Sequence, residues 1–443
     1  MYPMPAGMAQ VIQDTHQVRT YAVIYERPWP VRSASQAAAS PWGWVGTQVG
    51  PALPVETGTV TIDNTGVQRR RASLTIAPTS GVLPTSVYSS LTPFRNMVLL
   101  YYAVGTEANP LPPFGSGPSE YSQAPPPGSY QLGIFVLTDV DVDLENSGDV
   151  KLSLELQDLS QDISRRVLLK PYVTANGIYM TDAIKELLYF ANSQGLQAIP
   201  WFQAEPNYAL TSGGQGPDVL YAAGYTWDEG QDPWQAAQQM AEACGMQLYY
   251  APTGQTMLTY IPNPASTTVC WAYGSGLVPP PGPSAPGVGG IYPMLTSVKR
   301  TFSQSQVFNY VEYVVEGANA NPSPDLLYVG TSFLAQLGDT DPNSPTNING
   351  PYGIAGDVQY DQINYQPSVA LIAAKARLRR DLGAADMVTF TAMPNPAHEA
   401  YDVIHVQAPE IGLDQLYVID TVELPLDAGK DMTVTARRVV NVP

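Results

Sequence analysis

The chain has 443 residues, 44% of them apolar, with 39 acidic against 21 basic side chains and a formal net charge of −18, so disorder is not the default reading and an electrostatic grip on nucleic acid is not expected. Its 42 prolines and 37 glycines punctuate the chain too often for long helical bundles, and 27 tyrosines against 9 phenylalanines suit half-buried pleated surfaces and wet interfaces. Two cysteines, Cys244 and Cys270, are too few for a disulfide scaffold or a cysteine-built zinc site. No stretch approaches the roughly 20 apolar residues of a membrane span, and Met1-Tyr-Pro-Met-Pro does not begin a signal peptide, so synthesis in the cytoplasm without export is expected.

The first third reads as strands. Arg19-Thr-Tyr-Ala-Val-Ile-Tyr25 and Gly58-Thr-Val-Thr-Ile-Asp63 alternate in period two, and Arg70-Arg-Ala-Ser-Leu-Thr-Ile-Ala77 follows a turn at Asn64-Thr-Gly66. Residues 97–104 form a continuous apolar run, as a buried strand would, and further strands are expected at 130–137 and 150–156. Long irregular stretches at 28–54 and 106–129 interrupt them; loops of that length in a compact domain usually contact a partner.

The middle changes period. Thr181 can cap a helix whose Ile184, Leu187, Leu188 and Ala191 make one stripe, with Gly195 beyond its end. Asp232 as N-cap and Pro233 at the first position mark a second helix, with Trp234, Ala237, Ala241 and Cys244 on one face and Gly245 as the stop. A hairpin at 247–260 follows, then a Pro/Gly-rich run at 278–290 that reads as a linker. The last third returns to strands at 295–302, 310–316, 387–392, 403–407, 417–423 and 432–439. One helix lies among them at about 367–382, with Val369, Ile372, Ala373 and Ala376 on its apolar face. The expected architecture is mainly β with an α+β insert. A first antiparallel β-barrel-like domain spans 1–165, a smaller helix-containing unit 166–290 and a second barrel-like domain 291–443.

A search for chemistry returns little. His398-Glu-Ala-Tyr-Asp402 begins like H-E-x-x-H, but Asp402 replaces the second histidine and His405 stands seven residues on, so no metal site is expected there. Asp139, Asp141 and Asp143 alternate on one face of an extended segment and are the only calcium candidates, with a solvated strand edge as the plainer reading. Asp339-Thr-Asp-Pro-Asn343 fails as an EF-hand because Ser344 and Gly350 stand where the turn glycine and bidentate glutamate belong. No nucleophile elbow or phosphate loop is present, and Arg69-Arg-Arg71 reads as a charged strand edge. Neither catalysis nor a cofactor is expected.

The order of features says more. The segments 55–63, 69–76 and Leu91-Thr-Pro-Phe-Arg-Asn96 are followed by Leu132-Gly-Ile-Phe135, Leu156-Gln-Asp158 and Thr181-Asp-Ala-Ile-Lys-Glu-Leu-Leu188. Ala241-Glu-Ala-Cys-Gly245, Val307-Phe-Asn309, Asp341-Pro-Asn-Ser-Pro345, Gly350-Pro-Tyr-Gly353, Tyr401-Asp-Val403 and Tyr417-Val-Ile-Asp420 complete the series. From about residue 19 onward this resembles the hub family of phage tail tips and baseplates, with relatives in siphophages and contractile injection systems. The resemblance implies two related β-barrels per subunit and a homotrimer forming a pseudo-six-fold ring at the virion tail tip. Its implied partners are the tail tube or distal tail protein, a tip, spike or fibre protein, and the tape-measure C-terminus, with no specific nucleic-acid binding. Relatives often carry a wall-cleaving or fibrous extension; this chain ends near the last expected strand, so that activity is expected to be absent or to come from another protein. Two readings remain beside it. One is a tip protein binding a receptor or wall carbohydrate through Trp29, Trp42, Trp44, Trp201 and Trp227, which are also the candidate partner contacts; the other is a tail-associated wall hydrolase.

Overall fold

The computed structural model describes residues 17–26, 49, 52–76, 83–94, 96–105, 129–144, 150–175, 178, 180–193, 202–204, 225–275, 295–316, 326–329, 332–361 and 367–442. Its first unit is a barrel of β1 (Gln17–Glu26), β2 (Leu53–Asp63), β3 (Arg70–Ile76), β4 (Asn96–Gly105), β5 (Ser129–Leu144) and β6 (Val150–Asp158). They pair antiparallel in the order β1-β4-β5-β6-β3-β2, and β2 returns to β1 through Tyr21↔Pro54 and Ala22↔Leu53, closing the ring. Alternation fills the interior: Ala72, Leu74 and Ile76 of β3 face Leu152, Leu154 and Leu156 of β6. β4 has no polar face because both its sides are covered. Val98, Leu100 and Tyr102 point into the barrel, while Met97, Leu99 and Tyr101 pack under the insert.

The insert contributes α1 (Ser160–Ser164), β7 (Tyr172–Val173), α2 (Met180–Ser193), β8 (Phe202–Ala204), β9 (Thr226–Trp227), α3 (Pro233–Glu242), β10 (Met246–Tyr250) and β11 (Thr256–Tyr260). The stripe Ile184, Leu187, Leu188 and Ala191 of α2 is fully buried, against the outer face of β1 and β4. Asp232 caps α3, its carboxylate accepting from the Trp234 and Gln235 backbone amides at 2.8 and 3.2 Å. Gly245 ends that helix at φ +68°, and a Cβ there would lie 3.0 Å from Ile372, so this stop also seats the insert on the later helix.

The chain then gives β12 (Trp271–Gly274), β13 (Leu295–Phe302), β14 (Tyr310–Glu316), β15 (Leu326–Val329), β16 (Ser332–Gly338) and β17 (Gly356–Asp361). α4 (Pro367–Gly383), β18 (Asp386–Ala392), β19 (Val403–Ala408), β20 (Leu413–Pro425) and β21 (Met432–Arg438) complete it. Six of these strands pair in the order β13-β18-β21-β20-β19-β12, all antiparallel except β12 with β19. This second unit joins the barrel edge to edge, where β20 pairs β2 from Thr59↔Pro425 to Asp63↔Thr421. At the crossing a Cβ on Gly58 would meet the Ser73 carbonyl oxygen at 2.5 Å, so no larger residue fits. A separate sheet, β15-β16-β14-β17, packs Val311, Tyr313 and Ala335 onto Ala370, Ala374 and Leu378 of α4. The Asp339 loop that began like an EF-hand is held by Asx-type turns, with the Asp339 carboxylate accepting from the Thr346 hydroxyl at 2.7 Å. Among the described residues no helix is long and apolar enough to cross a membrane.

Candidate functional site

The barrel, the insert and α4 meet at a cleft of about 610 Å³, lined by the β2–β3 turn, the glutamines of α3, Tyr249, Tyr360, Arg377 and Tyr401. Its floor is a buried charge network that begins in β3. Arg70 is in phase with Ala72, Leu74 and Ile76 and so points inward. Its guanidinium donates to the Tyr250 carbonyl at 2.6 Å and to the Glu399 carboxylate, and it is 1% exposed. Arg69 turns the other way. It donates to Gln247 and to the Ala400 carbonyl, both at 2.8 Å, and lies over the Tyr249 ring at 4.0 Å. The edge reading of Arg69-Arg-Arg71 is thereby corrected: β3 lies between β2 and β6, two of the three arginines are buried, and only Arg71 faces solvent.

From the opposite side Arg437 pairs with Asp420, which also accepts from the Asn64 amide at 2.9 Å. Tyr401 sits between the two groups of charges, with Arg437 5.5 Å and Arg69 5.9 Å from its ring centre. Its backbone is left-handed, at φ +71°, a conformation that costs a side-chain-bearing residue about 1–3 kcal/mol and is held here by its amide donating to the Ile419 carbonyl at 2.8 Å. Glu399, Tyr401 and the turn that carries them therefore tie the two β-units and the insert to one another.

The same turn carries a second cluster. His398 Nδ1 lies 3.3 Å from Asp402 Oδ2, and its Nε2 lies 2.5 Å from the Tyr273 hydroxyl. Cys270 completes a set of three ligand-type atoms lying within 4.8 Å of one another, the one such group among the described residues. Burial, reinforced by the Asp402 charge, pushes the Cys270 thiol far above its ordinary range, so it is no activated nucleophile.

The residues singled out from sequence fall elsewhere. Asp139, Asp141 and Asp143 project from the exposed far end of β5, opposite Glu155, Ser153 and Lys151, and do not converge. Trp227 is 2% exposed and meets Tyr225 edge-on at 4.6 Å, so it belongs to the insert's core and offers no face to a sugar or a partner. Trp29, Trp42, Trp44 and Trp201 lie outside the described residues.

Neither a protein-family model nor a curated protein sequence matches the chain. Solved structures do. The 43 kDa tail protein of prophage MuSo2 from Shewanella oneidensis superposes with a TM-score of 0.50 at 11% identity, covering 94% of this chain and 98% of that one. The tail protein from Neisseria meningitidis MC58 gives 0.53 at 12% identity, over 94% and 96%. The fold is thus that of phage tail proteins, mostly β around a closed six-stranded antiparallel barrel with extra strands.

Proposed function

We propose that the chain is a structural hub subunit of a phage tail, three copies of which close a ring at the tail tip. The observation that carries this is the fusion of two six-stranded units through β2 and β20 within a fold shared along most of its length with tail proteins. Three copies then present six comparable β-units, which lets a three-fold tip meet a six-fold tube. On one side the ring takes the tail tube or distal tail protein, on the other a tip, spike or fibre protein. Its net charge of −18 keeps DNA from adhering as it passes. We propose no catalysis, because Cys270, His398 and Asp402, the one such group among the described residues, hold a thiol that burial keeps protonated.

Cross-linking of purified particles that carry a tagged copy tests the assignment. Cross-links to tube and tip proteins are expected. Absence of the chain from tails, or cross-links to head proteins alone, overturns it.

A further inference from the structure

We propose that Cys270, His398 and Asp402 form a binding site for a divalent metal of the zinc class. Three separate observations bear on it. First, the ligand atoms converge although Cys270 stands at the start of β12, far from the β18–β19 connection in sequence: its thiol reaches the carbonyl of Val403, 133 residues away, at 3.2 Å. The parallel pairing of β12 with β19 imposes this, since it lays Trp271 beside Ile404 and so brings Cys270 beside the residue after Asp402. His398 and Asp402 follow from their four-residue spacing in the turn.

Second, the surrounding shell is of the kind that orients a metal ligand. His398 is 1% exposed, and while Nδ1 faces Asp402 its Nε2 meets the buried Tyr273 hydroxyl, so one ring nitrogen is directed at the site and the other is anchored. The Asp402 carboxylate is likewise fixed by the Glu399 amide at 2.9 Å. Third, the donor set itself selects the ion. One sulfur, one imidazole nitrogen and one carboxylate oxygen suit zinc or cobalt, whereas calcium and magnesium call for oxygen alone.

Binding forms three metal–ligand bonds and releases the Cys270 thiol proton to solvent, with no change of oxidation state; the thiol gives up its hydrogen bond to Val403, and the proton that His398 Nδ1 shares with Asp402 moves to Nε2, which then donates to the Tyr273 hydroxyl. A fourth position is left to water. The ion closes β12 onto the turn that carries Glu399 and Tyr401, so occupancy stiffens the junction. The inference is independent of the hub assignment.

The test is titration of the full, chelator-treated chain with Co²⁺ alone, then with Zn²⁺. One equivalent of cobalt is expected to give a sulfur-to-cobalt charge-transfer band, lost on adding zinc. Cys270→Ser should abolish the band, Tyr273→Phe should weaken binding by about 10–100-fold, and Cys244→Ala should leave it unchanged. A wild-type chain that gives no such band with cobalt overturns the site, whatever the variants do. So does a Cys270→Ser chain that binds as the wild type does.

Discussion

β3 takes part in the two regions of this molecule that differ most. Ala72, Leu74 and Ile76 close the barrel with apolar contacts on every side, while Arg70, one step earlier on the same face, ends that row inside a charged junction. In the barrel each side chain contributes its own buried area, and the loss of one is local. In the junction the Glu399 carboxylate offsets the desolvation of both Arg69 and Arg70, so removing it leaves two buried cations uncompensated. The barrel is therefore additive and the junction cooperative. A chain that keeps three of its parts in fixed relation gains directional contacts from the second arrangement.

Ways to break this contrast follow, the largest first. Glu399→Ala strands two arginines and should cost about 3–5 kcal/mol in urea unfolding. Adding Arg70→Met to it should recover part of that loss, and a purely additive double variant would refute the cooperative reading. Leu154→Ala, at a fully buried barrel position, should cost about 2–5 kcal/mol and add to a distant core change such as Val422→Ala within about 0.5 kcal/mol. Asp232→Ala removes the α3 cap and should cost about 1 kcal/mol, read as a lower thermal midpoint.

The smallest effect depends on pH. Burial holds the Asp381 carboxyl above the ordinary range, against the pull of Arg380 and Arg377. A raised carboxyl pKa stabilises the fold fully below the ordinary value, and that contribution is lost as pH rises through the raised one. Asp381→Asn should therefore gain up to about 1 kcal/mol at pH 7, with the gain vanishing in acid; urea midpoints at the two pH values check it.

What was legible in the sequence follows the same division. Period-two alternation, the Asp232-Pro233 start and the Gly245 stop lead to elements close to those observed, because each is a local rule. β5 runs on to Leu144, well past the expected end at 137, since the Asp139, Asp141 and Asp143 row is solvated on a strand that β6 alone supports. β12, β15, β16 and β17 are not among the expected strands: β12, β15 and β17 are short and lie at sheet edges, whereas β16 is internal to its sheet. Arg70 could have been placed by its phase with Ala72 and Leu74. Nothing local marks Glu399 as its partner, or Cys270 as the neighbour of His398: the first contact comes from packing of β3 against the turn between β18 and β19, the second from the pairing of β12 with β19.

The hub assignment is tested most directly by electron microscopy of intact tails that carry the chain. The account expects three copies in a ring around the tail axis at the end away from the head, each contributing two six-stranded β-units to the wall of the channel. Six copies stacked along the tube, or density confined to the head or to a peripheral fibre, would contradict it.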